Sequence, residues 1–281
     1  MSGTRFCAVD VGLSTTDAVA DWANGRTVSL PTRGTAASAE RALAELVAVA
    51  PPPRGEPILV AATGVGCHAL PGVLHGWPVR RVDELRAIGF GGMHLAAAGE
   101  GLVASLGTGT ALVSFRGEEV RHVAPGSGVG GGTLLGLGRA LLGTDDLVEL
   151  AALAAAGDRT RLDVTIGEAA GGPIGLLPAS ATASNFGKRV SGRREDVAAA
   201  LANLVAEVVV TTILLGMQAS GNGSTIVTGK LPLFEPIGRR LREISSALGG
   251  VFVFPARGAV ATALGALHLV AAAPAAVSAR P

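Results

Sequence analysis

The chain has 281 residues, of which 48% are hydrophobic and 16% charged, a composition that excludes an intrinsically disordered protein and allows a substantial core. Its 23 basic and 22 acidic residues form no long run of like charge, and aromatic residues make up only 3%. Neither a nucleic acid nor a membrane surface is therefore expected as a partner, and a small molecule is.

Cysteine and histidine usage indicates a reducing compartment and no metal centre built from these side chains. Cys7 and Cys67 fit neither a disulfide framework nor a zinc site, and the five histidines lack metal-ligand spacing. The N-terminus enters a strand pattern without the features of a signal peptide, so we expect a cytoplasmic protein.

The first part of the chain is predicted to open with a β-hairpin and to continue as alternating helices and strands. Ser38 is the predicted N-cap of the first helix, which Pro51 ends. The predicted strands are 5–11, 18–22, 27–30, 58–62 and 79–82, and the predicted helices are 38–50 and 85–98.

The second part repeats this design, because strands at 101–106 and 111–115 form a second hairpin like the one at 5–22. Further strands are predicted at 224–227 and 251–254, and helices at 133–142, 145–156 (with Thr144 as N-cap), 196–218, 236–248 and 258–273. Apolar stretches at 204–219 and 259–277 are predicted as core helices rather than membrane spans, since the first is short and carries Glu207 and the second is mostly alanine. The pattern predicts an α/β fold of two lobes, 1–98 and 99–257, with helix 258–273 packing back on the first.

Asp10 ends the first predicted strand and precedes a hydroxyl-rich turn that contains Gly12, Ser14 and Thr15. Such a carboxylate suits Mg²⁺ bound through water, and the two hydroxyls suit hydrogen bonds to phosphate oxygens. A polar hairpin whose aspartate caps the turn explains the same residues, and the turn alone does not decide between them.

Two glycine-rich segments in the second half suit close approach of the backbone to phosphate. The first is the hairpin turn 107–110, for which a plain turn is the alternative. The second, 126–132, runs into the helix that begins at Thr133, and a helix N-terminus favours anions. It also matches a dinucleotide-binding fingerprint, but it lies mid-chain after a hairpin and nothing else indicates a nicotinamide site.

The motif Asp10-x-Gly12, the turn 107–110 and Val227-Thr228-Gly229 look like the phosphate and adenosine motifs of the actin-like superfamily of sugar kinases, acetate kinases and heat-shock chaperones. Four further segments, at 82–84, 130–137, 183–188 and 258–266, resemble type II pantothenate kinases in order and content, over nearly the whole chain. The resemblance implies two actin-like, ribonuclease H-like lobes with mixed five-stranded sheets, an ATP cleft between them, and a homodimer formed through helix 196–218.

The same resemblance implies an ATP- and Mg²⁺-dependent phosphorylation of pantothenate, the first step of coenzyme A biosynthesis. Glu84 then matches the catalytic carboxylate, although an acid at a helix N-terminus is the plainer explanation of that residue alone. The implied substrate-binding residues are Ser127 and Arg121. The implied nucleotide-binding residues are Gly12, Ser14, Thr15, Gly107, Thr108, Gly109, Thr110, Gly130, Gly131, Gly132, Thr133, Phe186, Gly187 and Gly229.

The sequence departs from the family pattern at two places. Asp17 stands where the family has a lysine after the first turn, and Val123 stands where it has a pantothenate-binding arginine, with Arg121 two residues earlier. A different alcohol as acceptor, such as a sugar or nucleoside, is therefore an alternative. So are an ATP-driven module acting on a protein partner and a nucleotide binder without turnover.

Overall fold

The computed structural model describes residues 3–175, 177–190 and 192–272, and gives only the backbone of Ala124 and Pro125. Ala273, the last residue of the predicted closing helix, lies outside this range. The strands in chain order are β1 Arg5–Val11, β2 Thr16–Ala20, β3 Thr27–Leu30, β4 Ile58–Thr63, β5 Val73–Leu74, β6 Trp77–Arg81, β7 Glu100–Leu106, β8 Thr110–Arg116, β9 Glu119–Ser127, β10 Val164–Thr165, β11 Thr182–Ser184, β12 Thr225–Thr228 and β13 Phe252–Val253. The α-helices are α1 Ala36–Val49, α2 Glu84–Ala96, α3 Gly131–Leu142, α4 Leu147–Ala156, α5 Ile166–Ala170, α6 Arg194–Ser220, α7 Glu235–Ala247 and α8 Ala261–Ala272.

Two mixed sheets share one strand arrangement. The first has the order β3-β2-β1-β4-β6-β5 and the second β13-β12-β7-β8-β9. In each, an antiparallel hairpin (β1 with β2, β7 with β8) pairs on its other side with a parallel strand that comes later in the chain (β4, β12). The predicted α/β fold with two related sheets is confirmed, and the first sheet has one short strand, β5, beyond the predicted five.

Two helices cross between the sheets. α8 packs on β1 and β4 of the first sheet, whereas α2 packs on β7 and β8 of the second, and the two helices pack on each other. A Cβ at Gly265 would overlap the Ala87 carbonyl oxygen, and a Cβ at Gly91 would overlap that of Ala261. Glycines at the crossing therefore bring the two helix backbones into direct contact. The predicted boundary between the lobes after residue 98 stays a prediction.

The predicted caps of two helices are wrong by a few residues. α1 begins at Ala36 with Thr35 as N-cap, and Ser38 completes a capping box three residues later. Asp146, not Thr144, caps α4 by accepting from the amides of Val148 and Glu149. In both cases neighbouring side chains of the cap-forming type compete, and local spacing does not rank them.

α6 forms the centre of the second core. It is long and apolar enough to cross a membrane, yet 56% of its most apolar window is buried inside the protein. Glu207 on this helix accepts hydrogen bonds from Thr182 Oγ1 at 2.6 Å and Asn185 Nδ2 at 3.0 Å. Both donors belong to the segment 159–190, whose strands β10 and β11 the sequence analysis did not predict.

Candidate active site

A cleft of about 800 Å³ opens between the two sheets. The turn after β1 lines one side of it and the turn after β7 the other, and the first turn of α2 lies between them. Of the predicted site residues, the cleft is lined by Asp10, Gly12, Ser14, Thr15, Glu84, Gly107, Thr108, Gly109, Thr110, Ser127, Gly131, Gly132 and Gly229. Residues from five separate regions of the chain thus meet at one place.

Asp10 lies near the end of β1, directly opposite Asp17 on β2. Its carboxylate rests against Gly64 of the turn after β4, where a Cβ would overlap Oδ1. Burial, followed by the charges of Asp17 and Glu84, raises the pKa of Asp10 to about 7, and Lys230 opposes that shift. The negative charges of Asp17 and Glu84 act on this carboxyl in the direction that also attracts a cation.

Glu84 is the first residue of α2, positioned by Asp83, whose side chain accepts from the Arg86 amide as N-cap. Burial, and to a smaller extent the neighbouring charge of Asp83, raises the pKa of Glu84. A carboxylate with a raised pKa is a better proton acceptor near neutral pH than an exposed one. Glu84 lines the cleft.

The two predicted phosphate turns face each other across the cleft. Ser14 Oγ and Thr108 Oγ1 are 2.9 Å apart, although the residues are separated by 94 positions in the chain. Thr110 Oγ1, at the end of the second turn, donates to the Val129 carbonyl and is buried. The hydroxyls of Ser14 and Thr108 are thus placed where one anion could contact both lobes.

The glycine-rich segment before α3 supports the second turn rather than presenting all its amides to the cleft. The Gly131 amide donates to the Gly107 carbonyl at 2.8 Å, and the Gly132 amide donates to that of Thr108 at 2.9 Å. The Gly130 amide donates to Thr133 Oγ1 at 3.3 Å, and neither of these two residues lines the cleft. The expected anion site at this helix N-terminus therefore lacks these three donors in this conformation.

One wall of the cleft is apolar and suits the face of an adenine ring. Val148 and Leu233 are 80% and 71% exposed and belong to this wall. The wall consists of Leu134, Leu135, Leu147, Val148, Ala151, Leu231, Leu233 and Phe234. Its position next to the Gly229 turn agrees with the predicted adenosine side.

Three further predicted site residues, beyond Gly130 and Thr133, do not line the cleft. Arg121 is on β9, exposed and paired with Glu119 at 2.5 Å, and is not among the residues that line the cleft. The Phe186 amide donates to the fully buried carboxylate of Asp163, and the Gly187 amide donates to the Ser184 carbonyl. None of the three lines the cleft, because Arg121 is held at the surface by Glu119 and the loop of Phe186 and Gly187 packs on Asp163 and Ser184.

The sequence did not indicate that Lys230 lies in the cleft, nor that Asp17 forms an ion pair with it. Lys230 Nζ lies 2.5 Å from Asp17 Oδ2 and 2.9 Å from Thr15 Oγ1, so it bridges the two sides of the cleft. The departure from the family pattern at residue 17 pointed to a charge change at this place. Nothing local to Lys230 linked it to a residue more than 200 positions earlier.

Within the described residues, no group of three or more His, Cys, Asp or Glu side chains is placed to hold a metal ion. Asp10 alone still fits Mg²⁺, because this ion commonly binds proteins through one or two carboxylates and completes its shell with phosphate and water oxygens. Asp10 lines the cleft, so its carboxylate is accessible to such an ion.

A family model described as "Fumble" matches residues 101–224. A type II pantothenate kinase of Oceanobacillus iheyensis is 32% identical over 208 residues, which cover 69% of this chain and 76% of that protein. A type II pantothenate kinase of Bacillus cereus strain AH820 is 34% identical over 133 residues, 46% of this chain and 48% of that protein. The chain thus spans about half the length of the Bacillus relatives that it matches.

Solved structures with the same fold cover nearly the whole chain. An activator of 2-hydroxyisocaproyl-CoA dehydratase from Clostridium difficile, solved with ADPNP, has a TM-score of 0.62 at 14% identity and covers 94% of this chain and 92% of its own. A ROK family glucokinase from Streptomyces griseus, solved with glucose and AMPPNP, has a TM-score of 0.54 at 19% identity, with coverage of 94% and 98%. At these identities the likeness establishes the fold.

Proposed function

The chain belongs to the type II pantothenate kinase family, and from that membership and the geometry of the cleft we propose that it transfers the γ-phosphoryl group of ATP to the hydroxyl of pantothenate. The observation that carries the proposal is the meeting of Asp10, Glu84 and the two turns Gly12–Thr15 and Gly107–Thr110 at one cleft. Phosphoryl transfer depends mainly on positioning and charge stabilisation, which such an arrangement supplies.

In this proposal the apolar wall binds adenosine and the two turns bind the phosphates. The hydroxyls of Ser14 and Thr108 donate to phosphate oxygens from opposite sides, replacing the 2.9 Å contact that they make with each other. Asp10 holds Mg²⁺ through water, and the bound ion supplies positive charge that neutralises the phosphates.

Glu84 orients the acceptor hydroxyl and takes its proton. The raised pKa of this carboxylate brings its proton affinity closer to that needed for general base catalysis near neutral pH. Its position at the first residue of α2 fixes the backbone from which this side chain enters the cleft.

Pantothenate as acceptor rests on the family, since Arg121 does not line the cleft. Ser127 does line it and is the predicted substrate contact that remains. A different alcohol is therefore the second candidate, favoured by the exposed position of Arg121 and its pairing with Glu119.

The experiment that tests the function is an assay of ADP production by the purified chain with ATP, Mg²⁺ and a panel of pantothenate, sugars and nucleosides. Mass spectrometry identifies the product. Phosphopantothenate supports the full proposal, and a different phosphorylated alcohol reassigns the acceptor. ADP without a phosphorylated product would instead favour an ATPase that acts with a protein partner.

We also propose a cytoplasmic homodimer. The two described cysteine thiols are free and buried, as suits a reducing compartment. Leu214 and Leu215, on the C-terminal half of α6, are 37% and 60% exposed and would be covered by a second copy. Light scattering of the purified chain measures the mass directly, and a monomer at micromolar concentration would contradict the dimer.

A further inference from the structure

The turn after β12 brings one lysine into the cleft. Gly229 has φ +88°, and a Cβ there would overlap the Leu106 carbonyl oxygen, so the backbone passes closely beside the end of β7. Lys230 follows and reaches across the cleft to Thr15 and Asp17, which are 215 and 213 positions away in the chain.

The charges around the cleft make this lysine conspicuous. The charged side chains that line the described cleft are Asp10, Asp17, Glu84, Glu235 and Lys230. Only Lys230 is cationic among them. A triphosphate that enters would meet four carboxylates, so its binding depends on positive charge beyond a single metal ion.

We propose that Lys230 binds the phosphate chain of ATP, and that Asp17 and Thr15 hold its ammonium group in place before the nucleotide arrives. An ammonium group has three N–H donors, of which Asp17 Oδ2 and Thr15 Oγ1 accept two. The third is left for a phosphate oxygen. This inference rests on the proposed function, since it assigns a role within the same nucleotide site.

The location of Nζ supports this role independently of its charge. Thr15 belongs to the first phosphate turn, and its Oγ1 is 2.9 Å from Nζ. Ser14, the preceding residue, contacts Thr108 of the second turn. The ammonium group therefore contacts the first phosphate turn directly, and Ser14, Thr108 and Lys230 line the same cleft.

A purely structural ion pair that ties the two lobes together is the competing explanation. It predicts that loss of the lysine weakens ATP and adenosine binding alike, through loss of lobe alignment. A phosphate-binding lysine predicts a selective effect, because adenosine carries no phosphate. The ratio of the two affinities separates the explanations.

The first experiment measures the Kd of ATP with Mg²⁺, and of adenosine, by calorimetry for the wild type, Lys230→Met and Lys230→Arg. We expect Lys230→Met to weaken ATP binding by about 10- to 100-fold, as for loss of a charged hydrogen bond, with adenosine affinity unchanged. Lys230→Arg should keep part of the ATP affinity because it keeps the charge.

The matched control is Lys188→Met, since Lys188 is the only other lysine in the chain. It pairs with Glu168 at 2.6 Å and does not line the cleft. This variant should bind ATP as the wild type does. Equal weakening of ATP and adenosine by Lys230→Met, or no weakening of either, would overturn the inference.

A second experiment needs no variant and therefore does not depend on folding of one. An ATP derivative with an acyl group on the γ-phosphate reacts with a nearby lysine, whose Nζ forms an amide with the acyl carbon and releases ATP. Peptide mass spectrometry of the wild type should find the label on Lys230, suppressed by excess ATP. A label on Lys188 alone, or one that ATP does not suppress, would contradict the inference.

These outcomes are distinguishable from failure of the proposed function. If the wild type binds no ATP, the nucleotide site itself is wrong. If it binds ATP and transfers phosphate while Lys230→Met behaves as the wild type in both affinities, the proposed function stands and the role of Lys230 is refuted.

Discussion

Asp10 and Asp17 face each other directly on the antiparallel strands β1 and β2, at the base of the cleft. Like charges opposite one another in a sheet are destabilising, and burial adds to the cost of ionising Asp10. Lys230 offsets part of this repulsion through its 2.5 Å ion pair with Asp17. The free protein therefore gives up stability in order to keep Asp10 at the site.

This relationship predicts that Asp10→Asn stabilises the free protein above neutral pH. The unfolded chain releases the Asp10 proton near the ordinary value of 3.8, whereas the folded chain holds it up to about pH 7. The contribution of Asp10 to the free energy of unfolding therefore falls as the pH rises between these values. Asparagine has no proton to release, so the variant shows no such decrease at this position.

We expect the unfolding free energy of the variant to exceed that of the wild type by about 3–4 kcal/mol at pH 8 and by less at pH 5, with the proposed phosphoryl transfer lost. Urea unfolding at the two pH values measures the difference. A variant that is less stable than the wild type at pH 8 would mean that hydrogen bonds or positive charges stabilise the Asp10 carboxylate by more than burial and the neighbouring carboxylates destabilise it.

Glu84→Gln tests the proposed base. Glutamine keeps the shape and the hydrogen-bonding capacity of the side chain but accepts no proton, so kcat should fall by about 10²- to 10⁴-fold with little change in the KM for ATP. Steady-state kinetics with the identified acceptor provide the measurement.

The neighbouring Asp83→Asn is the matched control, because asparagine preserves the N-cap of α2 while removing an adjacent charge. It should leave kcat within a few-fold of the wild type. Equal turnover by the Glu84→Gln variant and the wild type would remove Glu84 from the mechanism.

Gly265→Ala tests the backbone contact at the α2–α8 crossing. The new methyl would overlap the Ala87 carbonyl oxygen, so the helices must separate, at a cost of about 2–3 kcal/mol of unfolding free energy. In contrast, Gly136→Ala should stabilise by about 0.5–1 kcal/mol, since Gly136 lies within α3 with open space around it. Chemical denaturation compares the two, and a neutral Gly265→Ala would show that the crossing is loosely packed.

Arg121→Ala separates the sequence-based assignment from the geometry. Arg121 is exposed and pairs with Glu119, and exposed ion pairs contribute little to stability. We expect the KM of the acceptor to change by less than about twofold. The unfolding free energy should change by less than about 0.5 kcal/mol. A tenfold rise in the acceptor KM would instead place this arginine at the substrate, through a conformation different from the one described.

The fold follows from local patterns in the sequence. The hairpins at β1–β2 and β7–β8 carry glycines and hydroxyls at matching turns, and the second copy made the two-lobe design visible. Strand β1, for instance, has its predicted bounds, because Asp10 and Gly12 mark the end of the apolar run and so the end of the strand. These features depend on residues that are close together in the chain.

The features that escaped prediction depend on distant residues. Lys230 acquires its role from Asp17 and Thr15 across the cleft, and no spacing rule relates positions more than 200 apart. Likewise, the sequence predicted that the amides of Gly131 and Gly132 are available to an anion. In the structure they donate hydrogen bonds to carbonyl oxygens of the 107–110 turn. Strands β10 and β11 have two and three residues, too few for a periodic signal.

The exchange of helices between the sheets bears on how the molecule unfolds. α2 is encoded next to the first sheet but covers the second, and α8 is encoded after the second sheet but covers the first. Division of the chain after residue 98 would strip each fragment of a helix that shields its sheet, leaving side chains such as Ala8 and Ala61 in water. The two halves are therefore thermodynamically interdependent, and separately produced fragments should acquire native structure only when mixed.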